Sequence, residues 1–304
     1  MSPKRPEKTN GRAGAQPAPG SKARTDAAPS AGATHESVRI AQFGSAGDAG
    51  ASAHYEDPAY YSLAYQKRRH DIDFYVRAAR DAQGPVLEYG VGNGRIALHV
   101  ARAGVTIEGI DLSRPMLDDF RRKLAREPAS VQQRVTLHEG DMREVELGRR
   151  FSLVTLPFNA FLHLYQRPDV EAFLARVRSH LAPNGLFVFD FSIPEPGDLV
   201  RDPELRFPST PLHDPETGEP VNYAERFEYD PLRQLLLVRI ELSAEDGSNL
   251  RTVPLTHRQY FPREMEALLH YNGFEQIFFT ADFTDLPLDR HVDSIVVRAK
   301  AKAE

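Results

Sequence analysis

The sequence predicts an α/β chain: a parallel sheet with helices on both faces, interrupted late by an antiparallel insertion. Three observations carry that expectation. First, Pro85-Val86-Leu87-Glu88-Tyr89 reads as a buried strand that runs into Gly90-Val91-Gly92-Asn93-Gly94-Arg95, after which Ile96, Ala97, Val100 and Ala101 form the apolar face of a helix. Second, short apolar runs and amphipathic stretches keep alternating as far as Phe191. Third, beyond Pro194 the alternation stops, and three strand-like runs are separated by turn signals.

At 304 residues the chain has room for one large domain with an insertion, or for two small ones. A net charge of −5 gives no general attraction for nucleic acid or an anionic membrane. No apolar run approaches the roughly 20 residues that span a bilayer, and the N-terminus lacks a signal-peptide core, so a cytoplasmic protein is expected. The absence of cysteine excludes disulfides, thiolate metal sites and a cysteine nucleophile. Residues 1–53 are rich in Ala, Gly, Pro, Ser and mixed charge, which predicts a disordered tail ahead of a folded domain over 54–304.

Taken in order, residues 54–65 are dense in tyrosine, and a helix with Ile72, Phe74, Tyr75, Val76 and Ala79 on one face follows. Arg68, Arg69 and Asp71 read as surface charges. At the glycine turn the missing Cβ atoms let the backbone bend sharply and let a ligand approach its N–H groups, with the start of a helix adding unpaired donors. A dinucleotide fingerprint wants a third glycine where this chain has Arg95, so a ligand lacking a diphosphate is favoured. Gly104 is a helix stop, and residues 105–111 form a second strand ending in Asp111, 17 positions after Gly94. A carboxylate there can accept both hydroxyl protons of a ribose, or simply cap the next helix. Leu112 and Met116 then border an adenine, with a core role for Met116 as the rival. The third strand, near 135–138, leads to Asp141, which can accept from an adenine amino group while the Met142 N–H reaches a ring nitrogen.

A fourth strand over 151–156 runs into Pro157-Phe158-Asn159-Ala160-Phe161-Leu162-His163. A helix with Val170, Phe173, Leu174, Val177 and Leu181 follows, then the turn 182–185 and a fifth strand over 186–191. Residues 222–229, 232–242 and 250–261 predict three antiparallel strands, with Asp230-Pro231 and Glu245-Asp246-Gly247-Ser248 at the turns. A helix over 262–271 and strands over 274–279 and 294–299 end the chain.

Val86-Leu87-Glu88-Tyr89-Gly90-Val91-Gly92-Asn93-Gly94 resembles the first motif of the class I S-adenosylmethionine-dependent methyltransferases. The resemblance implies a Rossmann-like seven-stranded sheet, with S-adenosyl-L-methionine as cofactor and S-adenosyl-L-homocysteine as product. It implies Glu88 and Arg95 near the amino and carboxylate ends of the methionine moiety, and a Tyr-Tyr segment closing over the donor, with Tyr61 and Tyr65 in contact with cofactor or substrate. Leu156-Pro157-Phe158-Asn159 departs from the Asn/Asp-Pro-Pro-Tyr of adenine- and glutamine-methylating relatives. Phe158-Asn159-Ala160-Phe161-Leu162-His163-Leu164 is instead similar to small-molecule N-methyltransferases acting on amino sugars and glycine-type amines. His163 then lies near the transfer centre, Asn159 beside the acceptor, and His257-Arg258 along the substrate pocket. A structural histidine is the other reading of His163. The expected partner is a small-molecule methyl acceptor, an amine before a hydroxyl, with no nucleic acid, no membrane, no metal and a possible homodimer through the insertion. An NAD-dependent dehydrogenase and a non-catalytic cofactor-binding module stay open as rivals.

Overall fold

A computed structural model describes residues 52–213 and 217–303. The expected tail falls almost wholly outside these residues. The helices Pro58–Tyr65 and His70–Asp81 precede the first strand, β1 (Val86–Tyr89). β2 (Ile107–Asp111), β3 (Val135–Glu139), β4 (Phe151–Leu156) and β5 (Leu181–Ser192) follow, with the helices Ala97–Arg102, Arg114–Leu124 and Arg167–His180 among the connections. The insertion holds β6 (Phe207–Pro208), β7 (Leu212–His213), β8 (Pro220–Asp230), β9 (Leu235–Ala244) and β10 (Arg251–Arg258). The helix Pro262–Tyr271, β11 (Phe274–Ala281) and β12 (Ser294–Ala301) complete the fold.

The main sheet has seven strands in the order β11-β12-β5-β4-β1-β2-β3. β1 to β5 are parallel, and β12 is antiparallel to both β5 and β11. The strand order reverses between β1 and β4, and at such a switch point a crevice opens at the carboxyl ends of the strands. Alternation along each strand divides the core. Leu87, Tyr89, Phe187, Phe189 and Phe191 pack on one face. Val86 and Val188 pack on the other, with the helices His70–Asp81 and Ala97–Arg102. Glu88 and Asp190 are each two positions beyond a residue of that second face, so strand alternation puts two acidic side chains into an otherwise apolar layer.

The insertion departs from the expectation in strand number. Three long antiparallel strands are present, and β6 and β7 add short pairings to β8, making five. A two-residue strand carries no periodicity to read.

The glycine turn owes part of its composition to packing. All three glycines have positive φ (61°, 54° and 80°), where side chains are strained. A Cβ on Gly94 would also lie 2.4 Å from the ring of Phe120, which is fully buried. Gly94→Ala therefore lowers stability by roughly 1–3 kcal/mol, read as a fall in the thermal unfolding midpoint; an unchanged midpoint would show that the turn and the ring relax together.

Candidate active site

The carboxyl ends of β1 to β4 open into a cavity of about 530 Å³, a size suited to a small ligand. It brings together Tyr61, Glu88, Gly90, Gly92, Arg95, Asp111, Leu112, Met116, Asp141, Met142, Pro157 and His163. Tyr55, Ser113, Arg143, Phe158, Tyr165 and Asp169 also line it, and the sequence singled out none of these as site residues.

Glu88 is 3% exposed, and its Oε2 has no hydrogen-bond partner. Burial pushes its carboxyl up to about 8, with the positive charge of Arg95 opposing. Asp111 accepts from the Gly92 N–H and the Ser113 N–H, both at 2.7 Å. Burial raises its pKa, and those backbone donors hold it back. The bonds fix the glycine turn to the end of β2.

Several expectations are corrected. Asp71 is not a surface charge: it is fully buried and accepts from Arg95 at 2.9 and 2.7 Å and from Arg68 at 3.0 Å. Burial pushes its carboxyl up, but bonds and charge from Arg95 and Arg68 outweigh burial and hold it below the usual range. Arg95 lines the cavity as expected of a site residue, and each of its terminal nitrogens gives one N–H to Asp71. Asn159 lies outside the cavity lining, because its amide donates to Ser192 Oγ at 3.1 Å and accepts from Ser192 N–H at 2.7 Å. Arg258 pairs with Glu264 at 2.8 Å and stacks on Tyr260, away from the cavity. Gly94 and Tyr65 line a smaller neighbouring cavity of about 200 Å³ that shares Tyr61, Asn93 and Arg95 with the main one, and the Tyr65 hydroxyl meets His54 Nε2 at 2.9 Å. Asp141 lines the main cavity, yet Arg143 holds its carboxylate at 2.6 Å and keeps it below the usual range.

His163 ends a short 3₁₀ turn, Ala160–His163. Its Nε2 lies 2.8 Å from the Tyr55 hydroxyl. Its Nδ1 faces the Tyr165 hydroxyl at 3.4 Å, and that hydroxyl donates to the Thr256 carbonyl at 3.1 Å. The pattern assigns the ring proton to Nδ1 and a lone pair to Nε2. Burial lowers its pKa to about 4, so the ring is neutral at neutral pH. His257 does not line the cavity; its ring stands behind His163, centroids 5.1 Å apart. Among the described residues no cluster of His, Asp or Glu is arranged to hold a metal ion, and no helix is long and apolar enough to cross a membrane.

Residues 86–185 match the family model described as a methyltransferase domain. Those residues carry a methyltransferase domain. In such a domain the cofactor is S-adenosyl-L-methionine and the product S-adenosyl-L-homocysteine. The chain is 36% identical over 41% of its length to dTDP-3-amino-3,6-dideoxy-alpha-D-glucopyranose N,N-dimethyltransferase from Streptomyces fradiae, covering 46% of that protein. The chain thus spans about half the length of that relative and of dTDP-3-amino-3,4,6-trideoxy-alpha-D-glucopyranose N,N-dimethyltransferase from Streptomyces venezuelae. Among solved structures it is similar to the CcbJ methyltransferase from Streptomyces caelestis, with TM-score 0.69 and 26% identity over 83% of this chain and 99% of that one. It is also similar to the glycopeptide N-methyltransferase MtfA complexed with S-adenosyl-L-homocysteine, with TM-score 0.51 and 26% identity over 74% of this chain and 86% of that one.

Glu88 gives a pH-dependent stability. Its folded pKa of about 8 lies above its ordinary value of 4.5, so the folded state holds the extra proton between those values and stability falls as pH rises through that window. Glu88→Gln removes that loss. The variant's unfolding midpoint, relative to the parent, is expected to rise between pH 5 and pH 8 by roughly 2–4 °C for each kcal/mol recovered; a constant difference across the window would contradict the raised pKa.

Proposed function

We propose that this chain transfers the methyl group of S-adenosyl-L-methionine to an amine nitrogen of a small-molecule acceptor by in-line displacement. The carrying observation is that one cavity holds both the unpartnered carboxylate oxygen of Glu88 and the neutral imidazole of His163. The amine preference draws further support from the names of the relatives, which act on an amino sugar and a glycopeptide.

The residues suit the cofactor. Glu88, which burial keeps protonated at neutral pH in this structure, would ionise against the ammonium of a methionine moiety. Asp111 keeps acceptor capacity for ribose hydroxyls beyond its two backbone donors. Gly90 and Gly92 line the cavity without a Cβ, which leaves their backbone open to close approach. Leu112 and Met116 flank the adenine, with Asp141 and the Met142 N–H at its polar edge, while Tyr61, Arg95 and Pro157 wall the site. When bound, the cofactor supplies a methyl group already activated on a sulfonium, so this chain has chiefly to align the acceptor and exclude water.

His163 orients the acceptor. Its Nε2 lone pair, met by Tyr55 in this structure, accepts an N–H from the incoming amine. Its low pKa serves the same end, because an imidazolium would repel the sulfonium. The insertion sets acceptor choice, supported by the reach of Thr256 to Tyr165 and of His257 to His163. A net charge of −5 counts against nucleic acid as the acceptor. The same reading places the chain in the cytoplasm and pairs two copies through the antiparallel sheet, a pairing that light scattering reads as twice the chain mass.

Asp111→Ala is expected to weaken S-adenosyl-L-homocysteine binding by roughly tenfold or more, the loss of hydrogen bonds to a charged group, measured by isothermal titration. Equal affinity would place the ligand elsewhere. His163→Ala is expected to lower kcat by about a hundredfold with cofactor affinity little changed, using labelled donor against a panel of amines and phenols. Transfer to phenols alone would move the assignment to oxygen, and silence across the panel would favour a non-catalytic module.

A further inference from the structure

Asp71 and Tyr75 stand one helical turn apart on the helix His70–Asp81, on the same face, and both are buried. Each reaches a different wall of the cavity. Asp71 takes both terminal nitrogens of Arg95, the residue that follows the glycine turn. The Tyr75 hydroxyl donates to Asp190 Oδ1 at 2.6 Å, and the same oxygen accepts the Phe158 N–H at 2.8 Å.

The segment that Asp190 holds is strained. Phe158 and Asn159 have φ of 58° and 62°, and two consecutive non-glycine residues keep that conformation only when their surroundings over-determine it. Here the determinants are two residues of β5. Asp190 holds the Phe158 N–H, and Ser192, on the same face of the strand, holds both ends of the Asn159 amide. The turn places the Phe158 ring 4.9 Å from the Arg95 guanidinium and 4.4 Å from that of Arg68. The contacts therefore close on themselves: from the helix through Asp71 to Arg95, across to Phe158, and back through Asp190 and Tyr75 to the helix.

We infer that the helix His70–Asp81 braces the two loops flanking the methyl-transfer centre, with Asp71, Tyr75 and Asp190 as positioning residues acting through Arg95 and Phe158. The inference rests on the methyltransferase reading. Its consequence is that the glycine turn and the strained turn after β4 move as one wall: loosening either loosens the other.

A double-variant cycle on S-adenosyl-L-homocysteine affinity, measured by isothermal titration well below each variant's unfolding midpoint, tests this. Tyr75→Phe removes a single hydroxyl and keeps the ring in the core; Phe158→Leu removes the ring from between the two arginines. Tyr75→Phe is expected to weaken binding by about tenfold, the cost of one hydrogen bond to a charged group, and Phe158→Leu by a similar factor through loss of the ring's contact with two guanidinium groups. The double variant is expected to bind no more weakly than the worse single one, because both break the same path. Losses that multiply to about a hundredfold would show the two residues acting on the site independently, and that result overturns the brace. So does Tyr75→Phe binding as tightly as the parent. A parent protein that binds no S-adenosyl-L-homocysteine at all would overturn the methyltransferase reading and the brace together.

Discussion

The paired contact between Arg95 and Asp71 governs how charge is distributed around the glycine turn. A guanidinium so nearly buried needs a counter-ion, because its desolvation is not repaid by apolar neighbours. Asp71 supplies it in the fork-to-fork geometry in which arginine and carboxylate bind best. With Arg95 paired to Asp71, Glu88 is left with an oxygen that no group among the described residues satisfies. Were Arg95 free to turn toward Glu88, the two would neutralise each other and the cavity would lose its uncompensated acid. The pair also anchors the helix His70–Asp81 to the sheet, and through that helix the turn after β4.

The acceptor side follows a different rule. His54, His163 and His257 stand close together, and burial lowers the pKa of all three, to about 3, to about 4 and well below the ordinary value. Their hydrogen-bond partners include the hydroxyls of Tyr65 and Tyr55, whose pKa values burial raises well above the ordinary one, and that of Tyr165. The result is a polar but uncharged wall. It can exchange hydrogen bonds with a bound molecule without adding a positive charge to the cavity. The insertion contributes directly, since His257 and the Thr256 carbonyl both come from β10.

Much of the fold was legible because its signals are local. Alternation within β1 and β5, the glycine turn after β1, the acid at the end of β2 and the proline-led helix Pro262–Tyr271 each declare themselves within a dozen residues. One wall of the cavity was legible for the same reason, since Glu88, Asp111 and Met142, which line it, sit at or just past strand ends that the periodicity locates. Asp71 was not, because it lies among Arg68, Arg69, His70 and Asp73, and a run of charges reads as a solvated helix end. Asn159 misled in the opposite way: an amide just past β4 invites a substrate role, and only the proximity of Ser192 consumes it.

What the sequence determined by itself was the order of elements, the place of the crevice and the residues at its strand-end rim, because strand period, turn chemistry and glycine backbone freedom act over short stretches of chain. Tertiary structure alone decided which charges meet. Asp71 finds Arg95 across 24 residues and Tyr75 finds Asp190 across 115, and His163 takes its tautomer from partners before and after it in the chain. Electrostatics and desolvation act through space, so the pKa of Glu88 and the neutrality of His163 depend on neighbours that no local pattern names.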